Sequence, residues 1–390
     1  MSKKNGPPFQ LFPLLALCSI LSCAHAGEPA RLRFEVSLTN GLLSTPQTGR
    51  LLVVIGRKDT PEPRLTVSRT GPDAPFVLGS DAKNLSPGKA VFLDATAITF
   101  PITNLSELPP GDYFVQALLV SNRDLLSPQA PGNLYSAPQK VHLDPAHRAT
   151  VKLALSAQIP PERLPDETEL VKFVKIQSRL LSQFHSRPIY LRAGIILPKG
   201  FQNDPTRKYP LWVRIGGLDT RYSRVAGMMA ESSNFRKTWM AEDTPRMILL
   251  HLDGAGPNGD AYQVNSANNG PYGDAITQEL IPYIEKEFRA IGQPKTRVLS
   301  GVSTGGWASL ALQVFYPDFF NGTWSSCPDG VDFRAFELVN IYDDENAYVN
   351  SYGFERPSER TLNGDVRLTM RREVQIENVL GHGNSWTTSG

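Results

Sequence analysis

Cysteine is scarce in this chain: the 390 residues hold three, Cys18, Cys23 and Cys327. Two of them fall in the N-terminal 26 residues, so no disulfide framework can hold the mature fold, which must rest on a hydrophobic core. The lone Cys327 is expected as a small buried apolar filler. Long apolar runs are missing too. The longest, Leu11 to Leu21, is too short for a bilayer, which takes roughly 20 apolar residues. Charge of one sign is not in excess, with 40 Lys and Arg against 38 Asp and Glu, a net of +2. No Lys/Arg run, zinc-finger spacing or aromatic-basic interleaving appears, which argues against a nucleic acid or an anionic membrane as partner.

What is present begins with a leader. Lys3 and Lys4 precede the apolar run, and Ala24-His25-Ala26 offers the small residues of a cleavage site, so residues 1–26 are expected to be a signal peptide and the protein to be exported, periplasmic or secreted. Ile20-Leu21-Ser22-Cys23 is similar to the lipid-attachment box of bacterial lipoproteins, with Ile20 where a leucine is expected. Cleavage after Ala26 is preferred to anchoring at Cys23.

With 41% hydrophobic residues, the chain has material for two domains. From Arg31 to about Leu155 the pattern is strand-like: Leu32, Phe34, Val36 and Leu38 alternate with polar residues, and Leu51 to Ile55 is an apolar run. Tyr113 to Val120, Lys140 to Leu143 and Thr150 to Leu153 follow between turn signals. Residues 27–157 are therefore expected to form an all-β, immunoglobulin-like sandwich domain. Pro160-Pro161-Glu162-Arg163-Leu164-Pro165 marks a linker over 158–168, because consecutive prolines fix an extended backbone. Periodicity leaves the next segment open: Leu170, Phe173, Val174, Gln177 and Leu181 fit a helix, whereas Val171, Phe173 and Lys175 alternate as in a strand.

Beyond it, strands and helices alternate. Strands are expected at Ile189 to Leu197, Leu211 to Ile215, Met247 to Leu252 and Thr296 to Leu299, and helices at Val225 to Met240 and Asp274 to Arg289. That rhythm implies an α/β fold, a mostly parallel sheet with helices on both faces, over 169–390.

The chemistry is concentrated in Gly301-Val302-Ser303-Thr304-Gly305, which follows the apolar Arg297-Val298-Leu299 and precedes a helical pattern. A strand, then G-x-S-x-G, then a helix is the pattern of a nucleophile elbow in α/β-hydrolases. The sharp turn lifts the serine hydroxyl clear of the sheet, and flanking glycines let strand and helix approach. Ser303 is the candidate nucleophile, and the Thr304 N–H at the helix start is aimed at a developing oxyanion. A second oxyanion donor is expected from Gly217 or Leu218, after the strand Leu211 to Ile215; an ordinary strand-ending turn is the equal alternative.

Such a serine needs a histidine base and an acid, in the order Ser, acid, His. Only His382 follows Ser303. It is the candidate base, although a loop histidine between two glycines is the preferred plain alternative. Asp329, Asp332, Asp343, Asp344 and Asp365 are the possible acids. Gly254-Ala255-Gly256-Pro257-Asn258-Gly259 formally satisfies a dinucleotide fingerprint, but no helix pattern opens in it, so no organic cofactor is expected. Asp343-Asp344-Glu345 lacks the spacing of a calcium loop, and no metal is expected.

Gly301-Val302-Ser303-Thr304-Gly305-Gly306-Trp307, Phe315-Tyr316-Pro317-Asp318-Phe319-Phe320-Asn321-Gly322 and Arg192-Ala193-Gly194-Ile195-Ile196-Leu197-Pro198-Lys199-Gly200-Phe201 together resemble an esterase family of α/β-hydrolases. That family includes esterase D, feruloyl esterases and enterochelin esterases. The resemblance spans about Val171 to Asp332. It implies that Val171 to Ile176 is a strand, that the β-rich first domain is an addition, and that the substrate is a small-molecule or carbohydrate-linked ester. Members of the family carry more strand and helix units after the serine than this chain does, so a C-terminally incomplete hydrolase is expected. The alternatives are a hydrolase-fold binding protein with an incomplete triad and a serine peptidase on the same fold.

Overall fold

The computed structural model describes residues 31–336 and 338–381. The expected leader and His382 lie outside the described residues. The first nine strands are β1 (Leu32–Leu38), β2 (Gln47–Gly56), β3 (Phe76–Leu85), β4 (Ala90–Leu93), β5 (Ile98–Phe100), β6 (Gly111–Val120), β7 (Leu134–Ser136), β8 (Gln139–Leu143) and β9 (Ala149–Gln158). Hydrogen bonding joins them into one nine-stranded sheet, in the order β4-β1-β9-β7-β6-β2-β3-β5 with β8 also on β6. All pairs are antiparallel except β1 with β9. The apolar run on β2 has no polar partner face. Leu51, Val53 and Ile55 enter one core with Phe34, Leu78 and Leu119, whereas Leu52 and Val54 enter another with Val77, Phe100 and Leu118.

Residues 159–170 are irregular and lead to a second sheet. Its elements are β10 (Val171–Ser178), α1 (Arg179–His185), β11 (Ile189–Ile196), β12 (Leu211–Ile215), α2 (Arg224–Met228), α3 (Asn234–Trp239) and β13 (Ile248–Leu252). After β13 come the two-residue ladders β14 (Ala255–Gly256) with β15 (Gly259–Asp260), and β16 (Asn265–Ser266) with β17 (Gly270–Pro271). Then follow α4 (Tyr272–Ala275), a π turn at Ile276–Leu280, α5 (Ile281–Glu287), β18 (Arg297–Val302), α6 (Thr304–Phe315) and β19 (Thr323–Ser326). The strand order is β10-β11-β13-β12-β18-β19. β12 pairs β13 and β18 in parallel and β18 pairs β19 in parallel, while β10 and β11 close one end antiparallel. One face packs on α1, α4, α5 and α6 through Leu181, Ala275, Ile284 and Leu312, and the other on α2 and α3 through Val225 and Trp239.

The structure resolves two sequence expectations. Val171–Ser178 is a strand, because its eight residues pair with β11 over its full length. The single helix expected from Val225 to Met240 is two short helices instead, since the polar Glu231-Ser232-Ser233 interrupts the pattern and the Ser233 hydroxyl caps α3 by accepting from Phe235 N at 3.2 Å.

The chain then returns to the first sheet. After the hairpin β20 (Pro357–Arg360) and β21 (Val366–Thr369), helix α7 (Met370–Gly381) lays Ile376 and Val379 on Leu52, Val54, Val77 and Phe100. Arg50 on β2 donates to the carbonyls of Asn378 (2.9 Å) and Val379 (2.8 Å), satisfying acceptors that a helix C-terminus leaves over. The second face of β2 is thus covered by a helix from the far end of the chain.

The two sheets also meet through the loop after β6. Leu126 N donates to Gly256 O at 2.9 Å, Arg187 donates to Arg123 O at 2.8 Å, and the buried Arg192 pairs with Asp124.

Candidate active site

In the second sheet the chain runs from β12 to β13 on one side and places β18 on the other. The carboxyl ends of β12 and β18 therefore flank the point where strand order reverses, the position at which open α/β sheets form a crevice. Ile215 is in register with Gly301, so Gly217 and Ser303, each two residues on, emerge side by side. A Cβ added to Gly217 would stand 3.6 Å from Ser303 Cβ and 4.0 Å from its Oγ.

Ser303 itself has φ 59 and ψ −131, a conformation that L residues rarely adopt, and it is exposed. The turn is held from both sides: Ser303 N donates to Ser326 O at 3.1 Å, and Ser303 O accepts from Gly306 N at 2.7 Å and Trp307 N at 3.1 Å. The glycines are demanded by contact. A Cβ on Gly301 would lie 1.7 Å from Gly305 O, and one on Gly305 would lie 2.1 Å from Gly216 O. Helix α6 thus starts in contact with β18 and with the loop after β12. Among the described residues, the backbone N–H groups of Gly217, beside Ser303, of Leu218 after it and of Thr304 at the start of α6 make no hydrogen bond.

A third loop closes this corner. Tyr262, with φ 52, and Gln263, with φ 58, are consecutive left-handed residues. The Tyr262 ring meets Trp307 edge-on at 5.5 Å, and its hydroxyl reaches Asp329 at 3.3 Å and the Thr304 side chain. Burial, and then the Asp329 charge, push the Tyr262 phenol up to about 12, so it stays protonated as a donor. Beneath it, Asp260 is 4% exposed and accepts from Asp219 N at 3.0 Å and Tyr262 N at 2.9 Å. One carboxyl therefore ties the loop after β12 to the loop that carries Tyr262. Burial raises Asp260 to about 7 despite those two hydrogen bonds.

Asp329 is the acid that the fold brings to the serine's neighbourhood. Asp332 caps Arg334, and Asp344 pairs with Arg356 at 2.9 Å. The described histidines lie elsewhere: His142 bonds Asp112 and His147 bonds Asp144 on the first sheet, and His185 bonds Asn269 O. His251 is fully buried in β13, where it bonds Arg214 O at 3.2 Å through Nδ1 and leaves Nε2 without a partner. Burial and the Arg214 charge draw its pKa down to about 4, so it is a neutral core side chain. Among the described residues no histidine bonds Ser303 Oγ, and no three His, Cys, Asp or Glu side chains converge as metal ligands. The helix after Gly254 to Gly259 opens only at Tyr272. Cys327 corrects its expectation: it is exposed, with φ 45, because β19 is an edge strand and the chain turns outward after it.

Residues 190–328 match the putative esterase family. The matched segment runs from β11 to just beyond β19 and contains Ser303, Thr304, Gly217 and Leu218. A comparison with curated proteins finds no match. Among solved structures the chain is similar to a ferulic acid esterase (20% identity, 40% of this chain and 58% of that one, TM-score 0.33). It is also similar to the fluorophosphonate-binding serine hydrolase F of Staphylococcus aureus (14%, 44% and 62%, TM-score 0.34). A third is the CE1 ferulic acid esterase of Anaeromyces mucronatus (17%, 44% and 65%, TM-score 0.31). The chain spans less than two thirds of the length of each of these structures. No helix among the described residues is long and apolar enough to cross a membrane.

Tyr262 and Asp260 are the site residues that sequence reasoning missed. Each stands in a loop with no periodicity, and the signal that bears on them, Gly254 to Gly259, points to a tight turn without saying what that turn faces.

Proposed function

We propose that this chain is an exported serine esterase in which Ser303 attacks the carbonyl of a small-molecule or carbohydrate-linked ester and forms an acyl-enzyme. The observation that carries the reading is the Ser303 turn at the strand-order reversal, with Gly217 beside its hydroxyl and with the N–H groups of Gly217, Leu218 and Thr304 unengaged. In the addition step the carbonyl oxygen becomes an oxyanion, which the Thr304 N–H and one of the Gly217 and Leu218 N–H groups stabilise. The tetrahedral adduct collapses by breaking the ester C–O bond, the alcohol leaves with the proton taken from Ser303, and water then cleaves the acyl-serine to the free acid and Ser303. The base is assigned to His382, and export to the leader over 1–26. The division of labour follows the domains: a β-sandwich accessory domain over 27–157, a linker over 158–168 and the α/β-hydrolase unit from 169.

The test is hydrolysis of p-nitrophenyl acetate by the full chain beside Ser303→Ala and His382→Ala, with labelling by a fluorophosphonate. Hydrolysis and labelling that vanish with Ser303→Ala support the reading, and a rate unchanged by that substitution overturns it.

The second reading is a hydrolase-fold binding protein. It is favoured by one observation, that no described histidine bonds Ser303 Oγ. Absence of both hydrolysis and labelling would select it.

A further inference from the structure

The site's loops open onto a cleft that the first sheet helps to build. Leu218 and Asp219, which directly follow Gly217, form one wall together with Arg221, and Leu65, Leu126 and Pro131 of the β-rich unit form the other, around a volume of about 610 Å³. Pro160 of the connecting segment and Leu380 of α7 complete the lining. Stretches from both sheets, the connecting segment and α7 thus converge beside the candidate oxyanion donors. The position is fixed by polar ties on either side: Leu126 N to Gly256 O at 2.9 Å, and Arg192 to Asp124.

Its cations are already engaged. Arg221 is held by Asp253 at 2.7 Å and Glu162 at 3.0 Å, and Arg64 is held by Glu62 at 2.8 Å with its guanidinium 4.0 Å over the Tyr135 ring. An anionic ligand would have to break those pairs and would also face the exposed Asp219 carboxyl. The volume lies within the range of about 300–1,000 Å³ over which small-molecule sites bury most of a ligand.

We propose that this inter-domain cleft receives the larger, uncharged and apolar group of the ester, so that the β-rich unit selects substrate for Ser303. The proposal rests on the esterase reading for its chemistry, but the binding it requires can be measured without that chemistry. The Ser303→Ala chain is titrated calorimetrically with N-phenyloctanamide and N-phenylacetamide, two neutral non-esters that differ in the length of the apolar group. Leu65 is 46% exposed, so Leu65→Arg adds charge to the wall without emptying a core. Leu362, fully exposed in the hairpin turn, serves as the control Leu362→Arg.

The octanamide is expected to bind at least tenfold more tightly than the acetamide, an advantage that Leu65→Arg removes and Leu362→Arg leaves intact. With Ser303 present, the ratio of kcat/KM for p-nitrophenyl octanoate over acetate should fall at least tenfold in Leu65→Arg. Equal binding of the two amides, or octanamide binding unaffected by Leu65→Arg, overturns the assignment whether or not the chain hydrolyses esters. Length-dependent binding that Leu65→Arg abolishes, in a chain that hydrolyses nothing, leaves the cleft standing and overturns the esterase reading.

Discussion

The nine-stranded sheet and the six-stranded sheet are built from similar strands, yet they differ in where the backbone departs from relaxed geometry. Among the described residues before Val171, Asn84 is the one non-glycine with left-handed φ. From Val171 onward there are seven, and Asp219, Tyr262, Gln263 and Ser303 among them stand at the strand ends around one crevice. Of the buried polar atoms without partners, His251 Nε2 and Thr323 Oγ1 stand on strands of the same sheet and Asp253 Oδ2 directly follows β13. The first sheet resembles a packing scaffold, with apolar side chains on both faces of β2 and a helix sealed over one of them. Strain costs on the order of 1–3 kcal/mol at each such residue and persists only where the surroundings over-determine it. Its concentration in the loops after β12, β13 and β18 is what sets the second sheet apart as the place where chemistry can be arranged.

The comparison breaks most directly through its glycines. Gly305→Val places a side chain 2.1 Å from Gly216 O, and Gly41→Ala, in the first sheet, meets nothing within 4 Å but keeps φ at +81. We expect the former to lose about 3 kcal/mol or more in denaturant unfolding together with fluorophosphonate labelling. The latter should lose about 1 kcal/mol, with labelling retained. Equal losses would mean that the elbow is no more constrained than a surface turn.

A second contrast lies in two buried carboxyls. Burial raises Asp260 to about 7, and burial with the Glu373 charge raises Glu377 on α7 to about 7. A raised acid binds its proton more tightly in the folded state, so each contributes stability that is full below its unfolded pKa and is lost as pH climbs toward about 7. Each tenfold gain in proton affinity on folding is worth roughly 1.4 kcal/mol, so either carboxyl accounts for a few kcal/mol at most. Asp260→Asn and Glu377→Gln should each flatten the decline in Tm between about pH 4 and pH 7. Only Asp260→Asn should also alter the pH profile of hydrolysis, because it alone bonds the loops at Ser303. His251, lowered to about 4, acts in the opposite sense: its stability contribution is lost as pH falls from its unfolded value toward about 4. Differences between variant and parent therefore report the effect better than either curve alone.

Smaller effects sharpen the picture. Arg50→Met leaves the carbonyls of Asn378 and Val379 without their donor and should cost about 1–2 kcal/mol, read as faster amide exchange confined to α7 and the strands beneath it. Ser303→Gly removes the penalty for a left-handed side chain and should gain about 1 kcal/mol while abolishing hydrolysis, the trade expected where strain serves function. A loss of stability in that variant would contradict the assignment of strain to the elbow.

Much of this architecture was legible from residue order. Alternation in Leu32 to Leu38 and the apolar run in Leu51 to Ile55 specify strands because the side-chain period of two matches one or two buried faces. Gly301 to Gly305 announces its own turn because steric exclusion at both glycines is local. Less could be read where cohesion comes from afar. Val225 to Met240 keeps a helical period across a break that only the capping by Ser233 reveals. Cys327 looks like a core residue until an open sheet edge is placed beside it. Asp260 and Tyr262 carry no pattern at all, since their roles exist only when two loops share one hydrogen-bonded carboxyl, that of Asp260, with Asp219, 41 residues away, as a donor to it.

The sequence by itself determined the alternation of strands and helices and the tight turn at Ser303, because each follows from short-range sterics or side-chain period. Tertiary structure alone decided that α7 covers the second face of β2, that Gly217 stands beside Ser303, and that a loop of the first sheet and the loop after β12 line one cleft. These depend on burial and hydrogen bonding between residues far apart in the chain, for which no local preference selects a partner.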